Sequence, residues 1–233
     1  MGEITILKET TKTPITLIGE RAGICWGASI ADPSKNYNRG MDCIISGHGR
    51  TLEFVDVHMV IDGYSARVIR EYTRHVGGLT PWLQASTRYI DYVGDQFKYI
   101  IPGKIKENEL ALKEYCNLME NINATCKKLE TEYSIPREDI ANMLPLGMTT
   151  KTVEKRNLRN LIDMAHTRKC SRAYWEFREL FSDIENALAD YSEEWFELIR
   201  SVGGLFAPKC DVYGYCNEKK SCGRHNKNDM HFR

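Results

Sequence analysis

Residues 106–134, KENELALKEYCNLMENINATCKKLETEYS, commit more of this chain to one conformation than any other stretch. Leu110, Tyr115, Leu118, Met119, Ile122 and Cys126 recur at near-helical spacing, which predicts a long helix with one apolar stripe. Three further segments predict helices. SARVIREYTRH (65–75) starts at a candidate N-cap, Ser65. SIPREDIANML opens a helix, with Ser134 ahead of Pro136 and acids in the first turn. EKRNLRNLIDMAHTRK (154–169) and SRAYWEFRELFSDIENALADYSEEWFELIRSV (171–202) form a third helical region, closed by Gly203 and Gly204. TPITLIGERAGICWGA (13–28) reads as a helix entry followed by a small-residue packing segment, and ADPSKNYNRG (31–40) as a loop. EITILK (3–8) and TLEFVDVHMVIDG (51–63) have strand character, the second ending at an Asp-Gly turn. The sum is an α+β fold in a single domain, mostly helical, with a small mixed or antiparallel sheet.

The composition shifts only after Pro208. This divides the chain into a domain at 1–207 and a cysteine-bearing tail at 208–233, with no internal repeat or low-complexity tract. Lys+Arg and Asp+Glu both number 32, so the net charge is zero. That balance weighs against a nucleic-acid partner. No apolar run has the length of a membrane span, the N-terminus lacks a signal-peptide pattern, and Ile6 breaks a myristoylation match at Gly2. A cytoplasmic protein is expected, with eight cysteines serving as thiols or metal ligands rather than disulfides.

Arginines cluster in two places. Arg70 and Arg74 stand four apart on the predicted helix, a like-charge spacing that costs about 0.2–0.5 kcal/mol unless neutralised. Glu71 sits four after Arg67 and offsets that arginine. His75 follows, then Gly77-Gly78, where backbone could approach a ligand closely. Ser86 and Arg88 share a face if extended, and a hydroxyl beside a planar guanidinium suits a phosphate. A solvated helix face followed by a surface turn explains the same residues. In the second cluster, Arg168 and Arg172 are four apart, while Asn157 and Arg159 flank a helix packed through Leu158, Leu161, Ile162 and Met164, with Trp175 and Phe177 beyond. Arginines beside a packed face need an anion. Glu176 or Glu179 would serve, and so would a ligand.

Among the cysteines, Cys25, Cys43, Cys116 and Cys126 read as small packing residues. Cys170 lies beside Arg168 and Lys169, with no histidine assigned as its base, and is taken as structural. In the tail, Cys210, Cys216, Cys222 and His225 would fill a tetrahedral zinc site, although the spacing is not C-x₂-C; an ordered tail with free thiols is the alternative. NKNDMHFR at the very end is expected to fray.

Several motifs in order resemble one family. Arg74-His75-Val76 is similar to an Arg-His-Arg run, and Leu83-Gln84-Ala85-Ser86-Thr87-Arg88-Tyr89 to Asn-Glu-x-Ser-x-Arg-Tyr. AGICWGA (23–29), GHGRTLE (47–53), NMLPLG (142–147), NLR (157–159) and RKCSRAYWEFR (168–178) resemble further family segments. The family is the flavin-dependent thymidylate synthases, and only the tail falls outside the resemblance. It implies conversion of dUMP to dTMP, with methylenetetrahydrofolate as carbon donor, reduced FAD as hydride donor and NADPH re-reducing the flavin. It also implies a homotetramer with active sites built from several subunits, and no cysteine nucleophile. Arg168 takes the role of the guanidinium that stabilises charge on the uracil ring. Ser86 and Arg88 hold the phosphate, Glu71 and Gln84 read the ring or sugar, and Arg74 and Asn142 complete the nucleotide set. His48, Arg50, Glu53, Arg74, His75, Asn157, Arg159 and Asp163 would line the FAD.

The chain departs from the family pattern in a signature loop two residues longer, in Val76, Gln84 and Glu71, in Asn142 or Ala141 at the position of a phosphate-binding arginine, and in Arg50 and Asp163. These changes keep two other readings open. One is the same scaffold methylating or hydroxymethylating another pyrimidine nucleotide. The other is a non-catalytic nucleotide- or zinc-binding protein.

Overall fold

The structure, a computed structural model, describes residues 2–75, 80–92, 97–202 and 204–227. The elements run β1 (Glu3–Ile6), α1 (Pro14–Cys25), α2 (Pro33–Ile45), β2 (Asp56–Ser65), α3 (Ala66–Tyr72), β3 (Trp82–Gln84), α4 (Gly103–Lys106), α5 (Glu109–Thr131), α6 (Arg137–Ile140), β4 (Thr149–Asn157), α7 (Leu158–Arg168), α8 (Trp175–Tyr191), α9 (Glu193–Arg200) and α10 (Lys209–Tyr213). The strands form one four-stranded antiparallel sheet in the order β1-β2-β4-β3. The α+β, helix-rich class expected from sequence is the one observed.

Contacts divide the chain into two compact units. The first comprises Met1–Glu3, Ile61–Thr73 and Leu83–Thr152. In it α5 buries Met119 and Cys126, and Phe97, Met119 and Met148 form a cluster lined by Tyr99, Tyr115 and Ile122. The stripe on α5 is narrower than its spacing suggests: Leu110 and Leu118 are 79% and 54% exposed. The second unit comprises Ile4–Val60, Arg74–Trp82 and Val153–Arg233. Its core holds Ile15, Ile18, Val57, Met59, Leu161, Met164, Phe177, Phe181 and Trp195 at full burial.

Local chemistry explains where the elements begin. Ser65 caps α3 by accepting from Val68 N at 3.1 Å, and Asn108 caps α5 by accepting from Ala111 N at 3.0 Å. Residues 33–40 are helical, not loop. Asp32 accepts from Ser34 N and Lys35 N at 3.0 and 3.3 Å, and Pro33 sits at the first turn, so the turn formers are a helix start. A Cβ on Gly40 would lie 1.9 Å from Ile15 O, and one on Gly19 would lie 1.7 Å from Asn36 O. These two glycines let α1 and α2 cross with their backbones nearly touching.

Other expectations shift for similar reasons. Residues 51–54 form a 3-10 turn ahead of the strand. Residues 154–157 belong to β4, where Thr150, Thr152, Glu154 and Arg156 alternate inward at 5% exposure or less. The region 171–202 is broken at Ser192, whose extended backbone (φ −162°, ψ 163°) starts a new helix. The helix opened at Pro136 lasts one turn and passes into a 3-10 turn at Ala141–Met143. Gly203, Gly77, Gly78, Val76 and the segment after Lys227 lie outside the described residues.

Candidate active site

In the second unit, the site grows from β4 and α7. Arg156 lies at the inward face near the end of β4, 2% exposed, and forks onto Glu154 at 3.2 and 2.9 Å. Its Nη1 donates to the backbone oxygen of His75 at 2.6 Å and to Asn160 Oδ1. The buried ion pair therefore anchors the chain at His75. Sequence reasoning passed over Arg156 and Glu154. The readable signal was alternation: Thr150, Thr152, Glu154 and Arg156 share one face at a strand period.

The ring of His75 meets the far end of α7. Arg168 Nε donates to His75 Nε2 at 2.8 Å, and the guanidinium carbon lies 4.7 Å from the centroid of the Phe177 ring. His75 also packs edge-on against Phe177 at 5.9 Å. Burial, then the charges of Arg168 and Arg156, push the imidazole down to about 4. The ring is neutral at pH 7 and can accept the arginine's proton-bearing nitrogen, which an imidazolium could not do. One face of Arg168 is thus set against an aromatic ring and its Nε against a nitrogen acceptor. The cations around it have partners of their own: Lys169 reaches Glu185 at 2.6 Å and Arg172 reaches Glu218 at 3.4 Å. For Arg172 the acid is thus a tail residue and not Glu176 or Glu179, the pair expected from sequence.

A second cluster sits at the start of α7. Asn157 caps the helix through Asn160 N at 2.9 Å. Arg159, exposed, reaches Glu53 Oε1 at 2.6 Å, and Arg50 reaches Glu53 Oε2 at 2.8 Å. The two guanidiniums hold the Glu53 carboxyl below its usual range. Two cations on one acid leave an excess positive charge, suited to an anion. A Cβ on Gly49 would sit 3.5 Å from the Arg159 guanidinium carbon, so the 47–50 turn carrying His48 runs beside that arginine. His48 and Asp163 are exposed, Asp163 one turn along α7 from Arg159. Arg74 is exposed and lies past the end of α3 at Tyr72, so it does not share a helical face with Arg70.

The remaining residues of the nucleotide set lie in the first unit. Gln84 closes β3 and its amide donates to Thr150 Oγ1 at 3.3 Å. Residues 87–89 turn rather than extend, and Arg88 N donates to Ser86 Oγ at 3.3 Å. The Arg88 guanidinium is exposed and stacks 5.3 Å from the Tyr89 centroid. Asn142 donates to Asp139 O at 3.1 Å, and Glu71 is half-buried in the last turn of α3. Half-buried Tyr92, its phenol pushed up by desolvation, packs with Ile90, Ile140 and Leu144 around a small cavity beside Thr87.

In the tail, Cys210, Asp211 and His225 place their ligand atoms within 4.8 Å of one another. Of the four expected zinc ligands, Cys210 and His225 belong to this group, and Asp211 joins them. Cys216 is buried and Cys222 exposed.

Comparison with known proteins adds to this geometry. The family model described as "Thymidylate synthase complementing protein" (Thy1) matches residues 6–191. The chain is 30% identical over 189 residues to a flavin-dependent thymidylate synthase of Nitratidesulfovibrio vulgaris, covering 77% of this chain and 73% of that one. It is 26% identical to one of Clostridium tetani, covering 96% and 94%. In structure it is similar to thymidylate synthase X of Helicobacter pylori, solved with FAD and dUMP. The TM-score is 0.62 at 19% identity, over 85% of this chain and 99% of that one.

Proposed function

From the premise that this chain belongs to the flavin-dependent thymidylate synthase family, we propose that it converts dUMP to dTMP, taking the carbon from methylenetetrahydrofolate. One observation carries the proposal: Arg168 is held in a fixed orientation by the neutral ring of His75 and the face of Phe177. A preorganised planar cation suits the N3–O2 edge of a uracil that gains negative charge as its C5 becomes nucleophilic. Arg88 and Ser86 bind the phosphate, with Arg74 and Asn142 completing the nucleotide set. Glu71 and Gln84 read the ring or the sugar. Cysteine attack plays no part.

The residues present fit FAD. Arg50 and Arg159 on Glu53 keep a net positive charge beside an accessible turn, which suits a pyrophosphate, and His48, Asn157 and Asp163 lie on the same turn and helix. Bound there, the flavin supplies the hydride, and NADPH renews it. The protein acts in the cytoplasm as a homotetramer, with 1–207 as the catalytic domain and 208–233 as an appended tail. Exposed Ile45, Phe54, Leu83, Tyr89 and Leu110 support burial between subunits.

A second reading, transfer to another pyrimidine nucleotide, draws on Gln84, a neutral amide tied to Thr150 where the family carries an acid. Tritium release from 5-labelled dUMP and dCMP, with methylenetetrahydrofolate and NADPH present, tests both. Release from dUMP with dTMP formed is the expected result. Release from dCMP alone selects the second reading. Release from neither, by protein that retains flavin, overturns both.

A further inference from the structure

A cavity of about 250 Å³ in the second unit is lined by four thiols, Cys170, Cys210, Cys216 and Cys222, and by the imidazole of His225. Half of the chain's eight cysteines, none of them in a disulfide, thus border one small space. His225 Nε2 lies 2.8 Å from Asp211 Oδ1, and Arg224 forks onto the same carboxylate at 2.8 and 2.5 Å. A carboxylate holding one ring nitrogen of a histidine fixes its tautomer and presents the other nitrogen to a metal. With Nε2–H donating to Asp211, His225 offers Nδ1.

The thiols are not equivalent. Cys170, Cys210 and Cys222 line the cavity together with Arg224 and His225, and the Cys210 sulfur lies 4.0 Å from Asp211 Oδ1. The shared cavity sets these three beside the Asp211–Arg224–His225 clasp. Cys216 is instead built into the tail's own pairing: it is 7% exposed and its backbone N donates to Asn226 O at 2.8 Å.

The tail also has almost no core of its own. Of residues 209–227, all described, only Cys216 is buried. So short a segment without a core is ordinarily held by disulfides or a metal.

We propose that Cys170, Cys210, Cys222 and His225 form a structural site for a zinc-class divalent cation, with Asp211 orienting the histidine. Three sulfurs and an imidazole select zinc over magnesium or calcium. Each thiol releases its proton to solvent on binding, and rotation of the Cys170 and Cys222 side chains brings their sulfurs in. The site pins the tail to the segment that follows α7, two residues beyond Arg168, where Arg172 also pairs with Glu218 of the tail. Its occupancy is independent of which pyrimidine the protein uses.

The test is a cobalt titration of reduced, chelator-washed, full-length protein. Expected are visible bands of a tetrahedral site and a sulfur-to-cobalt band, saturating at one equivalent and bleached by zinc. Cys170→Ser, Cys210→Ser and Cys222→Ser should each remove about a third of the sulfur band, since three thiolates share it. Cys216→Ser should remove none. Asp211→Asn should keep the stoichiometry and weaken affinity about 10–100-fold. Circular dichroism checks that each variant folds, and the wild-type titration stands without them. Absence of tetrahedral bands in wild-type protein overturns the site. So does loss of the band in Cys216→Ser with full retention in Cys170→Ser.

Discussion

Arg168 and Arg88 are both arginines expected to meet the nucleotide, yet the molecule holds them in opposite ways. Arg168 is half-buried, its Nε on a histidine nitrogen and its face on Phe177, and that histidine is tied in turn to a buried ion pair. Arg88 is exposed on a turn, with a stacking contact to its own neighbour Tyr89. A group that stabilises charge only in the transition state must be oriented before the reaction, because orienting it afterwards would raise the barrier. A group that grips a phosphate throughout can adjust on binding. The difference is the one the proposed function requires between a catalytic arginine and a binding one.

The largest effect should come from beneath Arg168. Arg156→Met removes a side chain 2% exposed and breaks its buried ion pair with Glu154, 3% exposed. Leaving one member of a buried pair costs about 3–5 kcal/mol. Denaturant unfolding should show a loss of that size, whereas Arg88→Met should change stability by less than about 0.5 kcal/mol, as for an ordinary surface site. Equal losses would erase the contrast.

Next come the arginines themselves. Arg168→Ala should lower kcat by about 10²–10³ while flavin stays bound and is still reduced by NADPH. Arg168→Lys should rescue only part, since an ammonium cannot offer two coplanar donors. Arg88→Ala should act chiefly on nucleotide affinity, by about 10–100-fold, the loss of one charge-assisted contact. Steady-state kinetics on the two variants break the comparison if the patterns are reversed.

Arg159→Ala tests the flavin end of the same helix. It touches an exposed ion pair, so stability should barely change. The purified variant should nevertheless be colourless, because an anion site loses one of its two cations. Full flavin absorbance in a well-folded oligomer would remove Arg159 from the FAD set.

The parts of this arrangement differed in how readable they were. Helices opened by Ser65 and Asn108 carry caps whose chemistry is local, and their starts stand near where spacing put them. β4 was hidden because its inward residues are polar: two threonines, a glutamate and an arginine, with Glu154 paired to Arg156 and Thr150 to Gln84, stand where an apolar alternation would have shown the strand. α2 was hidden because Asp32-Pro33-Ser34 serves equally as a turn and as a helix start. What decides is the contact at Gly19 and Gly40, which is not local. Arg168 and His75 each stand out in sequence, but 93 positions separate them, and their hydrogen bond depends on Arg156 fixing the backbone at His75.

The smallest effect sharpens the comparison from the side of pH. The His75 imidazole is pushed down to about 4, against an ordinary value of 6.5, by burial and by two arginines. In the folded protein it stays neutral throughout the interval between those values, while in the unfolded chain it takes up a proton. The unfolded state therefore binds more protons there, so stability rises with pH across the window and is lost as pH falls from about 6.5 towards 4. The Arg168 contact shares that fate, since a protonated ring has no lone pair for Nε. His75→Gln keeps a hydrogen-bonding side chain without a titrating one. Thermal melting from pH 4 to 7 should show a shallower slope for His75→Gln than for wild type. The kcat profile at low pH should flatten in parallel, with KM for the nucleotide little changed, because Arg88 does not depend on the ring. If wild type and variant melt with the same slope, His75 is not the neutral acceptor that orients Arg168.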